Sequence, residues 1–488
     1  MVMIKPFLYA KSKEDRKKMD ELEGQILTSK SGTKYYLSKI IGRGAQGIIY
    51  STADDEYVVK LYKNESELKN KKKLKKLTWL LKTNYPDQFI KPLDIIDSPY
   101  IGYVMKKVKG HISLNKLLIP NREMSFSEWY NTNTGGLYRR LLVGQKIATQ
   151  FANLHKMNLA YCDLSGNNIL VNENTDVNSV CMIDIDNIYI PGADEVNVLG
   201  TSRYMAPEIL TRQLDPDIFT DSYSLAVILF ELLKAGHPYI GDFIEDGTPE
   251  QMTEAYKGLY PYVEDPSNDL NRSSQMLPSD VVFTTQLKEL FQKTFIDGKE
   301  NRVSRIRAQE YALAFQRASN LVVKCSNCGN WHYARPDGNH KYICPWCDAP
   351  YEKPLRIAFY EKYNCKISGQ KIPVSDKHLE DFILKEKSKN IVTKNYIKDS
   401  YEENDDTALE EYFSVRLAKD GKFYLINQSG NMLALKKANE EKFIVIKKDE
   451  MKPLEIKDTI IFDNPKDLQN FDFGNNVKGI SFRYAVVR

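Results

Sequence analysis

Residues 161–172 read YCDLSGNNILVN. Asp163 is followed five residues later by Asn168, and an apolar run then carries the chain onward. The two residue types suit two jobs: a carboxylate can accept a proton from an attacking hydroxyl, and an amide oxygen can hold a hard cation. Downstream, MIDID (182–186) offers a further metal carboxylate, Asp184, with Asp186 as the other candidate in the same run. An Asp–Asn spacing alone arises by chance in loops, so its weight depends on what surrounds it.

Upstream, GRGAQG (42–47) places Gly42, Gly44 and Gly47 between two strand-like runs. The chain continues as IIYST, a strand, so the glycines sit at a hairpin tip where backbone N–H groups can cover phosphate oxygens without a Cβ in the way. VVKLY then sets Lys60 within the next strand, either as a solvent-facing lysine or as the cation on a nucleotide's phosphates. Its carboxylate partner is expected to be Glu67, with Glu65 as the alternative, on a helix ESELKNKKKLKKLTWLLK. Leu68, Leu74, Leu77, Leu80 and Leu81 suit one apolar face of that helix, and KKKLKK its solvated face.

The totals fit a soluble globular protein. At 488 residues the chain has room for two to four domains. A net charge of +4 from 69 basic and 65 acidic residues is too small for this length to argue for nucleic acid or membrane by itself. MVMIKPFLYAKSKED has no signal-like apolar core, and SLAVILFELL (224–233) is too short to span a bilayer and contains Glu231. The expectation is a cytoplasmic protein with no membrane contact.

These motifs, taken in order, resemble the eukaryotic-type protein kinase fold over residues 34–318. LGTSRYMAPE (199–208) is similar to that family's P+1 loop and Ala-Pro-Glu motif, and DSYSLA (221–226) to the start of its central helix. Asn301-Arg302 falls where a late arginine would pair with Glu208. Met105 resembles the gatekeeper, and Lys106, Lys107 and Val108 the hinge whose backbone would hold adenine. The resemblance implies ATP and Mg²⁺ (or Mn²⁺) as cofactors, Lys60, Asp163, Asn168 and Asp184 as catalytic residues, and Asn168 and Asp184 as the Mg²⁺ ligands.

The departures from the family are specific. Tyr161-Cys162-Asp163 stands where the family has His-Arg-Asp, so the arginine that neutralises an activation-segment phosphate is missing. Between Asp184 and Glu208 the only hydroxyls are Tyr189, Thr201, Ser202 and Tyr204, which fits a kinase needing no activation-loop phosphate. Ser165 replaces the catalytic-loop lysine, as in the RIO group of atypical kinases. Those kinases and small-molecule phosphotransferases lack the Ala-Pro-Glu segment, so its presence here favours a protein substrate over an antibiotic or choline-like one. Thr201 resembles the P+1 residue of Ser/Thr rather than Tyr kinases. Asp184-Ile185-Asp186 stands for Asp-Phe-Gly, with Asp184 preferred as the metal ligand and Asp186 left where the glycine would be.

CSNC (325–328) and CPWC (344–347) give two Cys-x-x-Cys knuckles fifteen residues apart, so Cys325, Cys328, Cys344 and Cys347 are expected to bind Zn²⁺ in a zinc ribbon. Trp331, His332, Tyr333 and Trp346 are candidates for an exposed partner or nucleic-acid surface, or for packing around the metal. Cys162, Cys181 and Cys365 read as reduced cysteines. Residues 354–400 are too charged to assign, but short alternating runs after EENDDTALEE predict a β-sandwich or barrel.

The expected architecture is α+β. It comprises an extension at 1–33, a bilobal kinase domain at 34–318 (N-lobe 34–109, C-lobe 110–318), a zinc ribbon at 319–353 and a small β-rich accessory domain at 354–488. Kinase followed by ribbon loosely resembles kinases of tellurite-resistance-associated phosphorylation systems. The expected activity is transfer of the ATP γ-phosphate to Ser/Thr hydroxyls of protein substrates, with partner proteins able to dock on the ribbon or the tail. Two other readings stand beside it: an ATP-binding pseudokinase scaffold, and a nucleic-acid-binding protein led by the ribbon.

Overall fold

The computed structural model describes residues 22–44, 47–63, 66–189, 200–364, 366–367, 370–371, 376–386, 389–397, 407–462 and 480–488. Most of the expected N-terminal extension, Glu65, Cys365 and the Glu67 side chain lie outside it.

The first lobe is an antiparallel sheet. Its strands are β1 (Ile26–Thr28), β2 (Lys34–Arg43), β3 (Gly47–Thr52), β4 (Tyr57–Tyr62), β5 (Asp94–Ile96) and β6 (Gly102–Lys106), in the spatial order β1-β2-β3-β4-β6-β5. Side chains alternate across a strand, so YVVKLY splits into two sets. Val59 and Leu61 join Ile48, Tyr50 and Val104 in a core on one face. Val58 and Tyr62 join Tyr103 and Met105 on the other, and Lys60 shares their parity. Period two therefore turns Lys60 inward, toward the second lobe.

Helix α1 (Glu67–Lys82) covers that inner face. Leu77 and Leu80 are buried, and Leu74 and Leu81 partly so. Leu68, expected on the same stripe, is 66% exposed. It sits in the first turn, and the buried stripe begins only two turns later.

The second lobe is helical around α2 (Gly136–Lys156), α3 (Ile218–Lys234) and α4 (Ala308–Ser319). Every side chain from Thr220 to Lys234 is buried, and the charged ones among them, Asp221, Glu231 and Lys234, have partners. A capping box between Asp217 and Thr220 fixes where it starts. Gly144 lets α2 and α4 approach closely, since a Cβ there would lie 2.3 Å from the Phe315 ring. Three short strands, β7 (His111–Ser113), β8 (Ile169–Asn172) and β9 (Val180–Met182), form the sheet that carries YCDLSGNNILVN.

The four-cysteine segment is built on the hairpin β10 (Val322–Lys324) and β11 (Trp331–Tyr333). Its aromatic residues face the second lobe. Trp331 stacks on Tyr138 with ring centroids 4.4 Å apart, Trp346 lies 5.9 Å from Tyr130, and Tyr333 Oη donates to Val282 O at 3.0 Å. His332 is buried. A segment this short has no core of its own, so its rings complete a neighbour's.

Two antiparallel sheets close the chain around one core that includes Phe359, Phe413, Leu435 and Phe462. The larger runs Asp376–Ile383, Arg356–Asn364, Ile480–Val487, Thr459–Ile461, Ala434–Lys436, Phe443–Val445. The smaller runs Asn390–Thr393, Glu411–Leu417, Phe423–Ile426, Met451–Pro453. Residues 354–400, unassignable from their charge, contribute three of these strands. In DKHLEDFI the charged residues stay at or near the surface, and only Phe382 and Ile383 are buried. The sandwich is tied to α4: Gln316 Nε2 donates to Thr393 Oγ1 at 2.9 Å, and Asn320 Nδ2 to Tyr396 Oη at 2.9 Å. No helix among the described residues is long and apolar enough to cross a membrane.

Candidate active site

The loop 161–168 is held from below by the first turn of α3. The Asp221 carboxylate, buried beneath the loop, accepts the backbone N–H groups of Tyr161 and Cys162. This lets Cys162 adopt φ 69°, a left-handed turn that points the next residue into the cleft. Tyr161 is fully buried, and its hydroxyl donates to Ile183 O, joining the loop to the segment that carries Asp184. Phe89 and Phe151 flank its ring at 6.0 and 5.6 Å.

Asp163 and Asn168 meet as their spacing predicts. Asn168 Nδ2 donates to Asp163 O at 2.8 Å and to Asp163 Oδ2 at 3.1 Å, and Asn187 Nδ2 reaches the same oxygen at 3.3 Å. Burial pushes the Asp163 carboxyl up to about 6; the Asn168 bond opposes this and the nearby Asp184 charge reinforces it. A carboxylate in that range can both hold and release a proton near neutrality.

Opposite them, Lys60 is buried among carboxylates. Its Nζ lies 3.2 Å from Asp184 Oδ1 and 3.0 and 3.1 Å from the two oxygens of Asp186. Burial disfavours its charge, but Asp186 and Asp184 outweigh that and hold its pKa above the ordinary lysine value. Asp186 also accepts from Tyr62 Oη at 2.6 Å and Tyr103 Oη at 3.1 Å. Burial would raise its pKa, yet Lys60 and the two tyrosines hold it low. Asp184 is shifted the other way, raised by burial with Asp186 adding to the effect. Its Oδ1 is buried and is held by the 3.2 Å ion pair with Lys60 alone among the described residues. That is the environment a hard cation would complete, and the Asn168 amide oxygen is the second oxygen suited to it.

The sequence of residues 35–313, more than half of the chain, matches the family model of the protein kinase domain. The chain belongs to the protein kinase family. Similar proteins include the serine/threonine-protein kinase dkf-2 of Caenorhabditis briggsae, 29% identical over 36% of this chain and 13% of its own length. A probable serine/threonine-protein kinase of Clostridium perfringens is 25% identical over 45% of this chain and 31% of its own. The serine/threonine-protein kinase Sgk1 of Fundulus heteroclitus is 27% identical over 42% and 46% respectively. The chain thus spans less than half the length of each of these relatives.

The kinase domain also places the other expected residues. Gly42 and Gly47 lie on the paired strands β2 and β3, and Gly44 N–H donates to Gly47 O at 2.9 Å. A Cβ at Gly47 would lie 1.9 Å from Leu61 O, so β3 and β4 can pair here only through glycine. Met105 is buried on β6 opposite Val58, Lys106 ends the strand, and Lys107 and Val108 come after it. Ser165 is buried. The late arginine is Arg305 and not Arg302. Arg305 Nη1 and Nη2 reach Glu208 Oε1 and Oε2 at 2.6 and 2.8 Å, with the guanidinium 1% exposed. Arg302, on a 3₁₀ turn that ends before Arg305, points to Asp217 instead at 2.8 Å.

Sequence reasoning missed Tyr62 and Tyr103, which come from strands β4 and β6, and did not give Tyr161 its anchoring role. The tyrosines could have been found by parity with Lys60, since Lys60 and Tyr103 are direct cross-strand partners.

The four cysteines Cys325, Cys328, Cys344 and Cys347 converge, with their sulfurs all within 4.8 Å of one another. Cys325 and Cys347 are 3.7 Å apart and Cys328 and Cys344 3.8 Å. A tetrahedron with Zn–S bonds of about 2.3 Å has edges of about 3.8 Å, while a disulfide needs about 2.05 Å. The thiols therefore fit zinc. Asn327 Nδ2 donates to Cys347 Sγ, and with the Ala349 N–H it pulls that thiol down to about 6, whereas burial raises Cys328 and pushes Cys344 up to about 12.

Proposed function

We propose that this chain is a Ser/Thr protein kinase that transfers the ATP γ-phosphate to protein hydroxyls. One observation carries the reading: Lys60, Asp163, Asn168 and Asp184 converge on one cleft, with Asn168 bonded to Asp163 on a loop that Asp221 anchors at Tyr161 and Cys162, and Lys60 and Asp184 in contact opposite. Lys60 would bind the phosphates. Asn168 and Asp184 would hold Mg²⁺, which would supply positive charge to offset that of the phosphates. Asp163, kept in place by Asn168 and Asn187, orients the acceptor hydroxyl and receives its proton. Met105 to Val108 would face adenine.

The Ala-Pro-Glu motif supports a protein substrate, and the segment that leads into it packs on the catalytic loop, where a Cβ on Gly200 would lie 3.1 Å from Cys162 O. Tyr161 supports independence from an activation-loop phosphate. It anchors the loop through burial and its bond to Ile183 O, a role that needs no phosphate. A zinc-bound ribbon would serve as a buttress for the second lobe, since its tryptophans are packed there.

The test compares wild type with Asp163→Asn using labelled ATP and a generic Ser/Thr acceptor. Loss of a general base lowers turnover by about 10²–10⁴-fold, so equal, background transfer by both forms would overturn the reading.

A further inference from the structure

An ammonium on a four-carbon stem loses about 2 kcal/mol of rotamer entropy when held in one place, so Lys60 needs a fixed anion to keep it at the phosphates. Among the described side chains the carboxylates in contact with Lys60 are those of Asp186 and Asp184; Glu67, the one acidic residue of α1, has its side chain outside them. The inward face of α1 is marked by the buried Leu77 and Leu80, and one turn before Leu77 on that face stands Lys73. Its Nζ lies 4.7 Å from the centroid of the Tyr62 ring, and Lys60 Nζ lies 5.8 Å from the same ring. The helix therefore brings a second cation toward the Lys60 site.

The anion comes from the metal segment. Asp186 offers both oxygens to Lys60 and is locked by Tyr62 and Tyr103, whose strands are neighbours of one another in the sheet. Lys60 and Asp186 side chains are each only 6% exposed, so the contact is sheltered from water and salt. We propose that Asp186 is the positioning residue for Lys60, taking at the second position after Asp184 the part that a helix carboxylate would otherwise play.

This assignment rests on the kinase reading for its meaning, and it deepens that reading. The three-residue run Asp184-Ile185-Asp186 then carries both the metal carboxylate and the counter-ion of the phosphate lysine. The segment is thereby tethered to the first lobe's sheet through Lys60, Tyr62 and Tyr103.

The experiment uses the full-length protein. Asp186→Asn keeps the shape and can still accept from the tyrosines, and Asp184 remains beside Lys60, so a folded variant with a lowered unfolding midpoint is expected. Mg-ATP affinity by calorimetric titration and the ATP KM by steady-state transfer are then each expected to weaken about tenfold, through loss of lysine positioning. The relocation is tested by the pair Asp186→Gly and Asp186→Gly/Lys73→Glu: the glutamate is expected to restore most of the lost affinity.

The proposal falls if Asp186→Asn binds Mg-ATP as wild type does. It falls equally if Glu67→Gln reproduces the loss and Asp186→Asn does not. Should wild type bind Mg-ATP but transfer no phosphate, the kinase reading fails, and the binding arm still decides the role of Asp186. Should Asp163→Asn abolish transfer while Asp186→Asn stays normal in both arms, only the assignment of Asp186 fails.

Discussion

Two buried ion pairs brace this kinase domain, and they are built differently. Arg305 and Glu208 meet as two forks, with parallel bonds of 2.6 and 2.8 Å between a late loop and the Ala-Pro-Glu helix. Lys60 and Asp186 meet as a point charge on a carboxylate that two tyrosines also hold. The first pair satisfies its members: Arg305 Nε also donates to Gly298 O at 2.8 Å. The second shares its lysine with a neighbouring carboxylate, Asp184, whose buried oxygen is held by that 3.2 Å ion pair alone among the described residues. A closed pair is a clamp, whereas a pair with unused capacity beside it is a place for a ligand. Structural charge and functional charge can thus be told apart here without reference to motif position.

The largest effect is expected outside both pairs and sets their scale. Structural zinc contributes about 10–16 kcal/mol of apparent binding energy to small zinc modules. Chelation should unfold the knuckles, shift the emission of Trp331 and Trp346 to the red, and lower the unfolding midpoint of the second lobe they cover. An unchanged emission spectrum after metal loss would mean that the rings hold their places without the metal.

Breaking the clamp comes next. Glu208→Gln leaves Arg305 buried without its counter-charge, and about 3–5 kcal/mol of stability should be lost in denaturant unfolding. Mg-ATP affinity should barely change, and that sets this variant apart from Asp186→Asn.

Tyr103→Phe removes one neutral donor from Asp186, a loss of about 1–2 kcal/mol of stability with a rise of a few-fold in ATP KM. A stability loss with no kinetic effect would show that the tyrosines do not position the carboxylate. Smallest of all, Arg302→Ala should cost less than about 1 kcal/mol, because its pair with Asp217 is about one-third exposed. A cost equal to that of Glu208→Gln would reverse the assignment of Arg305 over Arg302.

How much the sequence disclosed depends on how far apart the cooperating residues lie. Asp163 and Asn168 are five residues apart on one loop, so their spacing almost settles their meeting. The cysteine knuckles are local in the same sense. Arg302, Arg305 and Arg307 fall within six residues, and only the 3₁₀ turn at Arg302–Ser304 decides which one turns inward. Asp186 lies 126 residues from Lys60, and its grip also depends on the register that sets Lys60 beside Tyr103. No pattern within either segment contains that information. The ribbon's tryptophans were ambiguous for another reason: aromatic rings near a metal suit a binding surface and a packed interface equally well until the neighbour is known.

The seams that α4 makes with the ribbon and the sandwich bear on how this protein can be divided. The family match ends at residue 313, inside Ala308–Ser319. Cutting there would remove Phe315 from its seat against Gly144, and with it the Gln316 and Asn320 side chains that hold the sandwich. Even a cut after the helix would uncover Tyr138, where Trp331 now lies. Limited proteolysis of the intact chain should accordingly yield no stable fragment that ends within the second half of α4. The catalytic lobes and their appendages would be inherited, expressed and lost together.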